Sequence, residues 1–205
     1  EGRRYPAHEI DKLRDPSVRA FLAVNPSNPT AVAMDRETVE RVARIARERP
    51  DLIVITDDVY ASFVDGFASL AAAAPRNTIL VYSFSKFWGA TGLRLGVVGL
   101  HASNALDDRL HGADEATRAA ARARYHGIAT APERLRLIDR MVADSRAVGL
   151  NHTAGLSGAQ QVQMSLFALA GLLDAGGARK RRARAIVRSR FERLYRGVGL
   201  EPPDD

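Results

Sequence analysis

Two short apolar runs flank one amphipathic helix near the start of this chain, and that order restricts the fold more than any other feature. Residues 18–24 are apolar and stop at Asn25-Pro26, which reads as a buried strand followed by a turn. Residues 51–56, Asp-Leu-Ile-Val-Ile-Thr, form a second, β-branched run. Between them Asp35 can accept from the open amides of a first helical turn. Val39, Val42, Ala43 and Ala46 then share one helical face until Pro50 ends the pattern. Strand, helix, strand is a βαβ unit, and its crossover makes the two strands parallel. Residues 78–82 and 95–100 extend the sheet, with about a dozen residues between them. The expected fold is therefore α/β, a parallel-rich sheet with flanking helices.

Beyond residue 101 the pattern becomes helical. Residues 102–131 are rich in Ala and Arg, and Leu135, Ile138, Met141, Val142, Ser145 and Val148 then form an amphipathic stripe ending at Gly149. Ser157-Gly158-Ala159-Gln160 has the spacing of a capping box, opening a helix that runs to about Asp174. A further helix spans roughly residues 178–195 before Gly197 and Gly199. No initiator methionine opens the chain and its last helix leads into Glu201-Pro202-Pro203-Asp204-Asp205, so it reads as a central piece of a longer protein.

Composition serves mainly to exclude. No apolar run is long enough to cross a bilayer, and no signal-peptide core follows Glu1-Gly2-Arg3-Arg4. The chain has no cysteine, which rules out disulfides and thiolate metal sites and fits a cytoplasmic setting. The five histidines, His8, His101, His111, His126 and His152, have no metal-ligand spacing and read as surface or packing residues. The net charge is +6, yet the only lysines are Lys12, Lys86 and Lys180, and the arginines are scattered among Asp and Glu. The densest cluster, residues 179–184, reads as a solvated helix face or a subunit interface rather than a nucleic-acid surface.

The chemistry collects just after predicted strand ends, where open α/β sheets bind ligands. Lysine is the side chain that forms an imine with an aldehyde cofactor, and Lys86 lies within Ser83-Phe84-Ser85-Lys86. Ser83, Ser85 and Arg94 supply the hydroxyls and guanidinium suited to a dianionic phosphate. Gly89, Gly92 and Gly96 would let backbone approach closely. Asp57 can hold a proton on a pyridine nitrogen, while Tyr60 and Asn28 can donate to a ring oxygen. Asp58 is expected at the rim of such a site, Met34, Met141 and Met164 in the core, and Phe87 and Trp88 either framing the site or packing beneath it.

The order Asn25-Pro26-Ser27-Asn28-Pro29-Thr30, then Asp57-x-x-Tyr60, then Ser83-x-Ser85-Lys86-x-x-Gly89-x-x-Gly92-x-Arg94-x-Gly96 resembles the fold type I, aspartate aminotransferase-like superfamily of pyridoxal-phosphate enzymes. Ala31 stands where that family has glycine, and the Ser85 position varies within it. The resemblance implies pyridoxal 5'-phosphate as cofactor and Lys86 as the Schiff-base lysine. It pairs Asp57 with the pyridine nitrogen, Tyr60 and Asn28 with the ring oxygen, and Ser83 and Arg94 with the phosphate. It also implies a homo-oligomer whose active site is built across a dimer. Residues 65–67, 75–86, 89–92, 139–146, 151–157 and 160–164 are similar to the aspartate 4-decarboxylases, which convert aspartate to alanine and carbon dioxide with transamination as a side reaction. Residues 1–190 are then expected to form an incomplete cofactor-binding large domain with a helical insertion at 101–150, and residues 191–205 the start of a truncated small domain. His152 lies in one of the similar stretches, though a turn or interface role is expected for it. An aminotransferase acting on another amino acid, and a catalytically inert piece lacking the α-carboxylate arginine and the cofactor-stacking segment, are the alternative readings.

Overall fold

The computed structural model describes residues 5–147 and 156–201. A short helix α1 (Ala7–Asp11) precedes strand β1 (Ala20–Val24), and helix α2 (Arg36–Glu48) leads to β2 (Ile53–Asp57). A single-turn helix α3 (Leu70–Ala73) comes before β3 (Thr78–Ser83), which returns as β4 (Gly96–Leu100). The sheet order is β1-β2-β3-β4, with β1, β2 and β3 parallel and β4 antiparallel to β3. The two crossovers contain helices, as parallel neighbours require. The short link from β3 to β4 has no room for one, so β4 can only run backwards.

The helix-forming signals act as read. The Asp35 carboxylate accepts from the Thr38 amide at 2.7 Å, and α2 buries Val39, Val42, Ala43, Ile45 and Ala46. These side chains pack with Leu52, Val54, Leu70 and Met34 into the main core on one face of the sheet. Asn77 closes the far end of that core, donating from Nδ2 to the carbonyls of Arg49 and Leu52 at 3.2 and 3.1 Å. The Arg49 carbonyl also accepts from the Leu52 amide at 3.0 Å, so Asn77 adds to a turn already closed there while satisfying the buried Leu52 carbonyl.

The C-terminal part is helical: α4 (Ala105–His111), α5 (Glu115–Tyr125), α6 (Leu137–Ala147), α7 (Gly158–Leu173) and α8 (Ala178–Gly197). Asn104 caps α4, and Asp107 accepts from the Leu137 amide at 2.6 Å, tying α4 to the start of α6. The amphipathic stripe of α6 is only partly covered, with Val142 45% exposed. Its Val148 and Gly149, like His152, lie outside the described residues. Helix α7 opens with the capping box expected at Ser157 and Gln160. It packs Met164 and Phe167 against a second cluster of Phe84, Leu95, Tyr82 and Trp88 beneath the Lys86 loop. Arginines of the basic cluster lie against the protein: Arg184 pairs with Asp65, and the Arg179 guanidinium sits 5.2 Å from the Trp88 ring centre. Lys180 donates to the Val64 carbonyl at 2.8 Å.

Candidate active site

Strand register gathers the chemical residues at one end of the sheet. Val24, Asp57 and Val81 lie side by side, and Ser83 pairs with Gly96. The turns that follow these positions therefore open on the same side. After β1 the segment 25–32 closes on itself, with Ser27 and Val32 linked through backbone at 2.9 Å and the Ala31 amide bound to the Ser27 carbonyl at 3.0 Å. Ala31 has φ 56°, the left-handed conformation that glycine adopts without strain. The turn thus keeps the shape a glycine would favour, at a cost of about 1 kcal/mol. Its base is fixed by Asn25, wholly buried, whose Oδ1 accepts from the Met34 amide at 2.9 Å.

That turn delivers Asn28, whose Nδ2 lies 3.3 Å from the Tyr60 hydroxyl. The Lys86 ammonium lies 5.9 Å from the centre of the same Tyr60 ring. Three residues from three separate segments meet here, and at the end of β2 the half-buried Asp57 accepts from the Val59 amide through Oδ1 at 3.1 Å. Lys86, Asn28 and Arg94 are exposed, so the arrangement forms an open shelf. Exposure keeps the cation–ring contact modest, about 0.5–1 kcal/mol.

The loop from Ser83 to Gly96 is held internally. Ser83 Oγ accepts from the Ser85 amide at 3.1 Å, Thr91 Oγ1 donates to the Ser85 carbonyl at 2.9 Å, and Arg94 Nη1 donates to the Thr91 carbonyl at 3.3 Å. Gly89 has φ +66°, and a Cβ on Gly96 would meet the Tyr82 carbonyl oxygen at 3.0 Å, so both glycines answer a backbone need. Gly92 has no positive φ, and a Cβ added there would meet nothing within 4 Å, so close approach does not explain it. Phe87 and Trp88 pack edge to face at 5.3 Å, and Trp88 stacks on Phe167 at 5.2 Å, which anchors the loop to α7.

Asp58 is not at the rim. Strand alternation places Leu52, Val54, Thr56 and Asp58 on the buried face, opposite Asp57. Asp58 is 5% exposed and accepts from the hydroxyls of Thr56 and Ser69, both at 2.6 Å. Burial raises its pKa above the usual 3.8, an effect reinforced by the Asp57 charge and opposed by the two hydroxyls. A raised folded-state pKa means the native protein holds this proton more tightly than the unfolded chain does. The stability Asp58 contributes is therefore complete below about 3.8 and falls as pH rises through the raised value. Asp58→Asn retains polar contact with both hydroxyls and removes the slope. Urea unfolding between pH 4 and 7 should show the variant gaining on the parent as pH rises, and parallel curves would refute the assignment. The signal for this network was present in the sequence, because Thr56 and Asp58 alternate in phase with Leu52 and Val54.

The donor set suits a phosphorylated pyridine aldehyde: an amine, an amide–phenol pair, a carboxylate at the neighbouring strand end, and a turn bearing two hydroxyls and a guanidinium. A parallel-rich sheet carries these groups at its strand ends, where open α/β sheets bind ligands. Residues 7–166 match the family described as aminotransferase class I and II, and the chain belongs to that family. Members of that family depend on pyridoxal phosphate and act on amino acids. Over 202 residues, 98% of this chain, it is 50% identical to the bifunctional aspartate aminotransferase and L-aspartate beta-decarboxylase of a Pseudomonas species. The chain spans 38% of that relative's length. An aspartate/prephenate aminotransferase of Nitrosomonas europaea is 30% identical over 97 residues, 44% of this chain and 24% of the relative. A double mutant of Thermus thermophilus aspartate aminotransferase superposes on 95% of this chain and 41% of its own, with TM-score 0.63 and 20% identity, and shares the fold.

Among the described residues no helix is long and apolar enough to cross a membrane.

Proposed function

We propose that this chain carries the lysine-bearing half of the cofactor site of a pyridoxal-phosphate aspartate 4-decarboxylase with aminotransferase side activity. The observation that supports the site is the meeting of Asn28, Tyr60 and Lys86 beyond the strand ends. The aspartate assignment is supported by the 50% identity to the Pseudomonas bifunctional enzyme, which extends along nearly the whole chain. In this reading residues 1–190 belong to the large domain, with 101–150 as its helical insertion, and residues 191–205 begin the small domain. The full-length protein works in the cytoplasm as a homo-oligomer whose sites are shared across a dimer.

When bound, pyridoxal phosphate supplies an electron sink conjugated to the substrate's α-carbon. Each residue then has a defined role. Lys86 would hold the cofactor's aldehyde and, as a free amine, would take the substrate's α-proton. Asp57 holds a proton on the pyridine nitrogen, which keeps the sink charged. Asn28 and Tyr60 donate to the ring oxygen. Ser83, Ser85 and Arg94 bind the phosphate, whose dianion suits hydroxyl and guanidinium donors. Loss of the β-carboxylate as carbon dioxide, with a proton taking its place on the β-carbon, would give alanine, whereas loss of the amino group to the cofactor would give oxaloacetate.

The deciding experiment gives aspartate alone to the full-length protein. Carbon dioxide and alanine should appear in equal amounts with no keto-acid acceptor. Strict dependence on 2-oxoglutarate, without gas, would assign the protein to plain transamination instead.

A further inference from the structure

The capping box of α7 does more than start a helix. Gln160 Oε1 accepts from the Ser157 amide at 2.9 Å and Ser157 Oγ accepts from the Gln160 amide at 3.3 Å. The other end of the same side chain, Nε2, donates to the Leu93 carbonyl at 3.0 Å, a contact spanning 67 residues of sequence. Leu93 is the last residue of the 3₁₀ turn Thr91–Leu93, and such terminal carbonyls lie beyond the turn's own bonding pattern.

This carbonyl shares its peptide plane with the Arg94 nitrogen. Arg94 has φ 53° and ψ 47°, a left-handed conformation that residues other than glycine seldom adopt. Rotating the plane changes φ of Arg94 directly, and relief toward negative φ would carry the guanidinium elsewhere. A bond to the Leu93 oxygen opposes that rotation. Glutamine is the residue type this requires, since glutamate serves a capping box as well but only the amide can also donate to a carbonyl.

We propose that Gln160 is a positioning residue, clamping the Leu93–Arg94 peptide so that Arg94 faces the phosphate. The proposal rests on the phosphate-binding reading of Arg94 given above.

The test titrates the full-length apoprotein with pyridoxal phosphate and, separately, with pyridoxal, which lacks the phosphate. Gln160→Glu keeps the capping box and removes the donor, while Gln160→Met removes the donor without adding charge. Ser157→Ala breaks the box and leaves the Leu93 contact. Both Gln160 variants should weaken pyridoxal phosphate about three- to tenfold, the yield of one lost hydrogen bond. Pyridoxal affinity should not change, and Ser157→Ala should bind both like the parent. Equal weakening of the two ligands would mean a general structural role and overturn the proposal. Unchanged phosphate affinity in Gln160→Met, with Arg94→Ala clearly weakened, would overturn it while sparing the Arg94 reading. Unchanged affinity in Arg94→Ala would remove the reading and the proposal together.

Discussion

Replacing Lys86 with alanine is expected to lower turnover of aspartate by at least about a thousandfold, because proton transfer by one placed group contributes about 10²–10⁴. The variant also loses the covalent hold on the aldehyde. A visible absorbance band should form when the parent protein meets pyridoxal phosphate, and the variant should show only the spectrum of the free cofactor. Lys86 stands 5.9 Å from the Tyr60 ring centre and is exposed, so alanine would orphan no partner in the core. Its removal should therefore leave the thermal midpoint within about 2 °C, since surface substitutions change stability by about 0.5 kcal/mol or less. An unchanged absorbance band in the variant would transfer the imine role to another amine, and the chain offers only Lys12 and Lys180 as further lysines.

The second large effect is expected at Asp57. Asparagine at this position can still accept from the Val59 amide, which Asp57 Oδ1 does at 3.1 Å, so the strand end should keep its shape. What disappears is the negative charge needed to hold a proton on a ring nitrogen. Loss of one preorganised electrostatic contact costs about 10²–10³ in turnover, and a fall of about a hundredfold is expected for Asp57→Asn. The cofactor should still bind through Lys86 and the phosphate donors, separating this variant from Lys86→Ala. Turnover within about threefold of the parent, far short of that loss, would remove Asp57 from the site.

Much of this was legible from residues alone, for identifiable reasons. The βαβ order, the Asp35 cap and the Ser157–Gln160 box depend on neighbours within a few positions, so sequence spacing exposes them. The strand ends could be placed because apolar runs stop at Asn25, Asp57 and Ser83. The features that spacing does not reveal depend on partners far apart in sequence. Strand alternation signals that Asp58 is buried but not that the Ser69 hydroxyl, eleven residues on, donates to it, and the Leu93–Gln160 bond joins segments that no local pattern connects. Phe167, which stacks on both Phe84 and Trp88, reads in sequence simply as one more apolar residue of a helix. Its contact with the Lys86 loop follows from how α7 crosses that loop, a matter of tertiary packing rather than periodicity.

The reversal of β4 has a consequence for how the site assembles. Ser83 and Gly96 are partners only 13 positions apart, whereas Ala20 meets Ile53 across 33. Closing the shorter loop costs about 0.8 kcal/mol less chain entropy. The segment bearing Lys86 and Arg94 is thus the easiest part of the sheet to organise, and it can form as a local unit before Asn28 and Asp57 are brought beside it.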